Sequence, residues 1–292
     1  MPSTILVTGA NGQLGMELQV LAKAFTQYQF IFTTKDVLPI HDESIVHYFF
    51  KKYQPQYCIN CAAYTAVDKA ETDVAQATLI NETAPLYLAQ ASLLYHTKLI
   101  HISTDYVFDG ATTIPYTETA TTNPLNVYGH TKLNGETNVL QTNPNNIVIR
   151  TSWVYSEFGS NFVKTMIRLL QTKESINVIN DQIGSPTYAA SLATIIMQII
   201  TLINTQKREI NGIYNYSSNT EISWYNFATD IKYILNSNCN INAIPTTEYP
   251  TPAIRSKYSV LHKTKIVNEL GIELSDWKSD LKICINKLLL NK

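Results

Sequence analysis

The chain is poor in the features that mark several large classes of protein. Its 292 residues carry 22 Lys and Arg against 23 Asp and Glu, a formal net charge of -1. Basic residues form no cluster beyond short pairs such as Lys51-Lys52, which argues against a nucleic-acid-binding surface. Four cysteines in a chain of this length are too few for a disulfide scaffold. No apolar run reaches the roughly 20 residues that span a bilayer; the most apolar stretch, 192–203, is broken by Thr194, Gln198 and Thr201. Met1-Pro2-Ser3-Thr4 leads straight into a strand pattern with no basic or long apolar leader, so a cytoplasmic protein with no membrane partner is expected. Repeats and low-complexity tracts are absent too.

Cys58 and Cys61 have C-x-x-C spacing, but the segment around them, 57–63, reads as a buried strand. An odd separation on a strand sends the two thiols to opposite faces, and no second pair or nearby His completes a zinc set. No metal site is expected there.

What is present is a rhythm. Short apolar runs at 4–8, 30–33, 57–61, 99–103 and 146–150 alternate with amphipathic stretches at 15–25, 43–53, 81–94 and 128–141. Continuous apolar strands separated by helices predict an α/β fold, a Rossmann-type doubly wound parallel sheet covered on both faces. The rhythm fails in the second half, where 180–186 and 246–252 read as loops. We therefore expect a nucleotide-binding domain over 1–152 and a smaller mixed α/β lobe, mainly substrate-binding, over 153–292. The helix near 188–203 and the strand near 212–216 are candidates to return to the first domain.

Thr8-Gly9-Ala10-Asn11-Gly12-Gln13-Leu14-Gly15 follows the first strand and opens a helix, the context in which a glycine triplet is informative. Gly9 would allow the tight turn, Gly12 the approach of a pyrophosphate, and Gly15 close helix–strand packing, with the helix amides facing the anion. After the second strand, Thr34 stands where a NAD-preferring site carries an acid for the ribose 2′-hydroxyl, and Lys35 follows. An uncharged residue and a cation favour NADPH and leave NADH possible, since Asp36 is only slightly out of register.

Tyr128 and Lys132 are four residues apart on a predicted helix, hence on one face. A nearby ammonium would favour the phenolate and bring a phenol into range for proton transfer. The fourth strand ends in His101-Ile102-Ser103-Thr104-Asp105-Tyr106-Val107-Phe108, so a hydroxyl at Ser103 or Thr104 would reach a substrate carbonyl opposite Tyr128.

The G-x-x-G-x-x-G spacing with Tyr128 and Lys132 resembles the extended short-chain dehydrogenase/reductases. Longer strings sharpen the likeness to the dTDP-4-dehydrorhamnose reductase family: Gly12-Gln13-Leu14-Gly15, the segment from Asn60 to Glu71, Ser103 to Phe108, Pro124 to Gly129 with Thr131-Lys132, and Arg150 to Tyr155. Asn161-Phe162, Asn180 to Thr187 and Tyr249 to Pro252 continue it across nearly the whole chain. That resemblance implies a catalytic set of Thr104, Tyr128 and Lys132, with hydride passing to C4 of a keto sugar while Tyr128 protonates the alkoxide. It implies Ala62, Ala63 and Tyr64 beside the cofactor, together with Gly9, Gly12, Gln13, Leu14, Gly15, Thr34, Lys35, Tyr128 and Lys132. A dTDP-sugar would lie against Val67, Asp68, Lys69, Thr104, Asp105, Tyr106 and Trp153, for rhamnose-containing cell-surface polysaccharide. Some relatives form a magnesium-linked homodimer through glutamates. Glu17 matches one of these, but Ala190 stands where a second is expected and the chain ends in Asn291-Lys292, so magnesium is doubtful and both monomer and homodimer stay open. Two other readings stay open: another sugar-nucleotide 4-keto reductase or epimerase, and a non-catalytic relative like the regulatory beta subunit of methionine adenosyltransferase.

Overall fold

The computed structural model describes residues 3–290. Met1, Pro2, Asn291 and Lys292, on which the readings of the leader and of the chain end partly rest, lie outside the described residues.

Six strands form one parallel sheet: β1 (Ser3–Thr8), β2 (Tyr28–Thr33), β3 (Tyr57–Asn60), β4 (Lys98–Thr104), β5 (Ile147–Thr151) and an edge strand, Gly212–Asn215. Their spatial order is β2-β1-β3-β4-β5 and then the edge strand, every neighbouring pair parallel. The apolar runs are continuous because both faces are covered. Ile5, Val7, Ile59, Ile100 and Ile149 point into one core and Leu6, Cys58, Leu99 and Val148 into the other, the period-2 alternation of a strand. The order reverses between β1 and β3, and there, at the carboxyl ends of the strands, a doubly wound sheet binds its ligand.

The Ala189–Gln206 helix is the one helix among the described residues long and apolar enough to cross a membrane. Its Leu192, Ile196, Ile199 and Ile200 are instead buried with the β1 side of the sheet. The expected loop at 180–186 contains a short strand, Ile183–Gly184, paired antiparallel with Ile222–Ser223. The second half also holds elements that the sequence reading left unassigned. The helices Phe162–Thr172, Trp224–Leu235 and Trp277–Leu290 share a separate core around Val163, Phe227 and Leu281, and Ser175–Ile179 pairs parallel with Asn240–Ile244.

Two glycines set the geometry of the first turn. Gly9 has φ +65°, where side chains are strained, and a Cβ on it would lie 2.6 Å from the Ala62 amide nitrogen on the far side of the switch point. A Cβ on Gly15 would lie 2.4 Å from the Gly9 carbonyl oxygen, backbone against backbone. Gly15→Ala should therefore lift the helix off the turn and destabilise the protein by about 1–3 kcal/mol, the range for overpacking a tight contact. Urea unfolding reads this directly, and an unchanged midpoint would show that the turn yields without cost.

Candidate active site

Two connected hollows lie along the carboxyl ends of the strands and share Gly12, Cys61 and Ala63. The larger is a cleft of about 490 Å³ that reaches from Gln13 and Leu14 to Thr104, Tyr128, Lys132 and Trp153. The smaller, about 280 Å³, runs past Gly9 and Ala62 to Tyr64 and Lys35. Between them the Gln13–Ala22 helix begins at Gly12 with no side-chain cap. Its first amides face the groove, an anion site made from backbone alone. An uncapped helix start at Gly12, which lines both hollows without a side chain, fits the pyrophosphate of a dinucleotide.

The nucleotide end bears on Thr34 and Lys35. Lys35 lines the smaller hollow, whereas Thr34 and Asp36 do not. Thr34 contributes its backbone instead, its carbonyl accepting from Val37 and Leu38 N–H. The cation thus reaches the groove and the acid two positions after Thr34 does not.

The Val127–Thr142 helix carries Tyr128 and Lys132. Asn126 caps it, its Oδ1 accepting from Gly129 N–H at 2.8 Å, and its Nδ2 donates to the Ile254 carbonyl. Both site residues are buried, Lys132 at 1% exposure. Their relation differs from the simple expectation, because Lys132 turns away from the phenol. Its Nζ donates to the Ile102 carbonyl at 2.6 Å and lies 3.3 Å from His101 Nε2. Burial pushes the Tyr128 phenol up, opposed by a hydrogen bond with Thr104. Lys132 does not lower it, since an ammonium helps only where it faces the phenolate. Burial likewise brings Lys132 down to about 8.

Around Tyr128 the polar groups are tightly committed. Thr104 Oγ1 donates to Asp105 Oδ1 at 3.1 Å and accepts from Tyr106 N–H at 3.2 Å. Burial raises Asp105 to about 6 against hydrogen bonds from Ser259 and Thr104. The Tyr106 ring meets that of Tyr128 edge-on, centroids 5.4 Å apart. Ser103 Oγ, by contrast, is buried beside the cleft with no hydrogen-bond partner among the described residues. Trp153 lines the opposite wall with φ +47°, stacked on Trp224 at 3.5 Å between centroids. That contact, between residues 71 positions apart, could not be read from the sequence.

Val67 also lines the cleft, but Asp68 and Lys69 do not. Asp68 is held by Arg255 Nη2 at 2.7 Å and accepts from Ala253 N–H, which ties the 253–255 segment to the first half of the chain. The Arg255 guanidinium holds the Asp68 carboxyl below its ordinary range. Lys69 is exposed and lies 3.5 Å from Asp73. Two buried asparagines carry structure that the sequence reading passed over. Asn81, in a single π-turn (Leu79–Thr83), binds the backbone of Tyr64 through both ends of its amide and donates to Thr131. Asn60 links Thr8 to His101.

Glu17 is buried and accepts from Ser156 Oγ at 2.8 Å; burial, with Glu157 beside it, raises it to about 7. Lys287 donates to Glu157 at 2.7 Å, so a lysine ammonium sits within this carboxylate pair. Cys58 is buried in the core and Cys61 reaches the cleft; both thiols are free, and burial raises each.

Comparison with known proteins gives one consistent result. The chain is 39% identical to dTDP-4-dehydrorhamnose reductase of Aggregatibacter actinomycetemcomitans over 284 residues, 95% of this chain and 97% of the relative. It is 40% identical to the spore coat polysaccharide biosynthesis protein SpsK of Bacillus subtilis over 278 residues, 95% of each. The crystal structure of dTDP-4-dehydrorhamnose reductase from Bacillus anthracis in complex with NADP superposes with a TM-score of 0.93 at 36% identity, covering 98% of this chain and all of that one. With a family model matching residues 3–290, the chain belongs to the RmlD substrate binding domain family.

Proposed function

We propose that this protein reduces the C4 keto group of dTDP-4-dehydro-L-rhamnose to dTDP-L-rhamnose with NADPH. The observation that carries the reading is convergence: Thr104, Tyr128 and Lys132, from β4 and one helix, line a single cleft continuous with the uncapped glycine turn. The relatives named as reductases of this keto sugar support the substrate, and the NADP complex of the Bacillus anthracis protein supports the cofactor.

The nicotinamide supplies the hydride when bound. The chain's own residues do the rest. The turn amides and Gly12 would hold the pyrophosphate, Lys35 would take the ribose phosphate, and Lys132 would exchange its bond to Ile102 for one to the cofactor ribose. Thr104 gives up Asp105 to hold the substrate carbonyl oxygen, a dipole aimed where negative charge develops. Tyr128 donates its phenolic proton to that oxygen. Trp153 walls the sugar, with Val67 and Tyr106 opposite. The substrate lobe, 153–292, contributes Trp153 and its neighbours to that wall, while the 189–206 helix and the 212–215 strand serve the nucleotide domain.

Mixing the protein with dTDP-4-dehydro-L-rhamnose and NADPH should oxidise one NADPH per substrate, followed by loss of absorbance. An epimerase would need no added reductant, and a regulatory subunit would turn over nothing. The position of Lys35 predicts a higher kcat/KM with NADPH than with NADH; a tenfold preference for NADH would overturn the assignment of Lys35.

A further inference from the structure

A buried polar chain runs from the first strand of the sheet to the lysine of the cleft. Thr8 Oγ1 donates to Asn60 Oδ1 at 2.6 Å, and Asn60 Nδ2 lies 2.9 Å from His101 Nδ1. His101 Nε2 then lies 3.3 Å from Lys132 Nζ, which donates to the Ile102 carbonyl. Asn60, His101 and Lys132 are at most 1% exposed, so their hydrogens must be matched to one another without help from bulk water.

One rigid group fixes every orientation. Ala62 N–H donates to Asn60 Oδ1 at 3.2 Å. A backbone N–H cannot turn round, so that corner of the amide is the oxygen and the NH₂ faces His101. His101 Nδ1 must then accept, which leaves the ring hydrogen on Nε2. Turning the ring over would put carbons at both contacts. An imidazolium would set N–H against the NH₂ of Asn60, and burial holds the ring well below its ordinary ionisation range. The Nε2–H therefore points at Lys132 Nζ. An ammonium has three hydrogens and no acceptor, so donor would meet donor; an amine can accept.

We propose that His101 is a positioning residue for this site: through Nε2–H it holds Lys132 as the uncharged amine against Ile102, and Lys132 takes up one proton from solvent when the nicotinamide cofactor binds. The second half of this proposal rests on the reading of Lys132 as a cofactor ligand; the first stands on the buried chain alone. The remaining charged and titratable neighbours are accounted for. Glu136, one turn along the same helix, is locked to Arg150 of β5 at 2.7 Å. Tyr128 lies one turn back with Asp105 beyond it, and Cys61 lines the cleft from the end of β3. Burial lowers the lysine and Glu136 raises it; the His101 donor acts in the same direction as burial.

Two measurements on the full chain test this. In the ¹⁵N-histidine spectrum of the cofactor-free protein, the His101 signal, assigned by its loss in His101→Gln, should show the Nε2–H tautomer. An Nδ1–H or doubly protonated ring overturns the proposal. In calorimetry at about pH 8.5 in buffers of differing ionisation enthalpy, NADPH binding should take up close to one proton, since an ordinary lysine ionises only near pH 10.4. His101→Leu, which removes the donor, should cut that uptake at least threefold. His101→Gln, whose amide can restore a donor at the Nε2 place, should return it toward wild type. Equal uptake in wild type and His101→Leu overturns the proposal. Failure of NADPH to bind the wild type overturns the reading of the cleft instead, and the tautomer spectrum then decides the His101–Lys132 pairing alone.

Discussion

Tyr128→Phe is expected to bind NADPH and the keto sugar nucleotide as the wild type does while losing turnover by a factor of about 10²–10⁴, the usual worth of a positioned general acid. The substitution removes one hydroxyl whose partner is Thr104 and leaves the ring in its edge-on contact with Tyr106. The loss should fall on kcat with KM little changed, since the proton is transferred only in the transition state. Retention of more than a tenth of the rate, a deficit below about 1.4 kcal/mol, would mean that another group protonates the alkoxide. Ser103 is then the first residue to test, because its buried hydroxyl at the cleft has no partner among the described residues.

The largest effect on stability should come from Arg150→Met. The Arg150 guanidinium meets the Glu136 carboxylate through Nε at 2.9 and 3.1 Å and Nη2 at 2.7 Å, and donates from Nη1 to the Glu118 carbonyl. Both side chains are nearly inaccessible, at 3% and 2% exposure. Removing the arginine leaves a buried carboxylate uncompensated, a loss of about 3–5 kcal/mol. Glu136 lies on the helix of Tyr128 and Lys132, and Arg150 on β5, so the pair pins that helix to the sheet. The double variant Glu136→Leu with Arg150→Met should recover much of the loss, since an apolar pair of similar volume is often neutral. Denaturant unfolding of the three variants decides it; a single-variant loss below about 1 kcal/mol would show that solvent reaches the carboxylate.

The legibility of the chain divides where its physics changes. In the first half the central strands are buried on both faces, so the apolar pattern carried the strands to within two residues at either end and the helices to within three, while the short helices Val67–Ala70 and Val74–Thr78 escaped it and the Asn81 start of the third helix became a π-turn. In the second half the 189–206 helix and the 212–215 strand were legible, while the short strands, such as Val154–Tyr155 with Thr187–Tyr188, escaped because they pair across long separations and are too brief to display a period. The Tyr128 and Lys132 pair was legible for a local reason, since four residues on a helix make one face. What Lys132 touches was not. Its partners are Ile102 and His101, thirty residues away, and sequence spacing says nothing of which way a long side chain turns.

Asp68 shows the same limit. Placed by resemblance beside a sugar, it is engaged by Arg255, 187 positions along the chain. The sequence by itself determined the class of sheet, the glycine turn, the helical face shared by Tyr128 and Lys132, and the family, because each depends on neighbours in the chain or on long matching strings. Only the tertiary structure decided that Lys35 and not Asp36 lines the smaller hollow, that Trp153 rests on Trp224, and that the lysine lies against a histidine ring. Those relations depend on how buried groups from distant strands satisfy one another's hydrogen bonds, and that matching exists only once the strands are side by side.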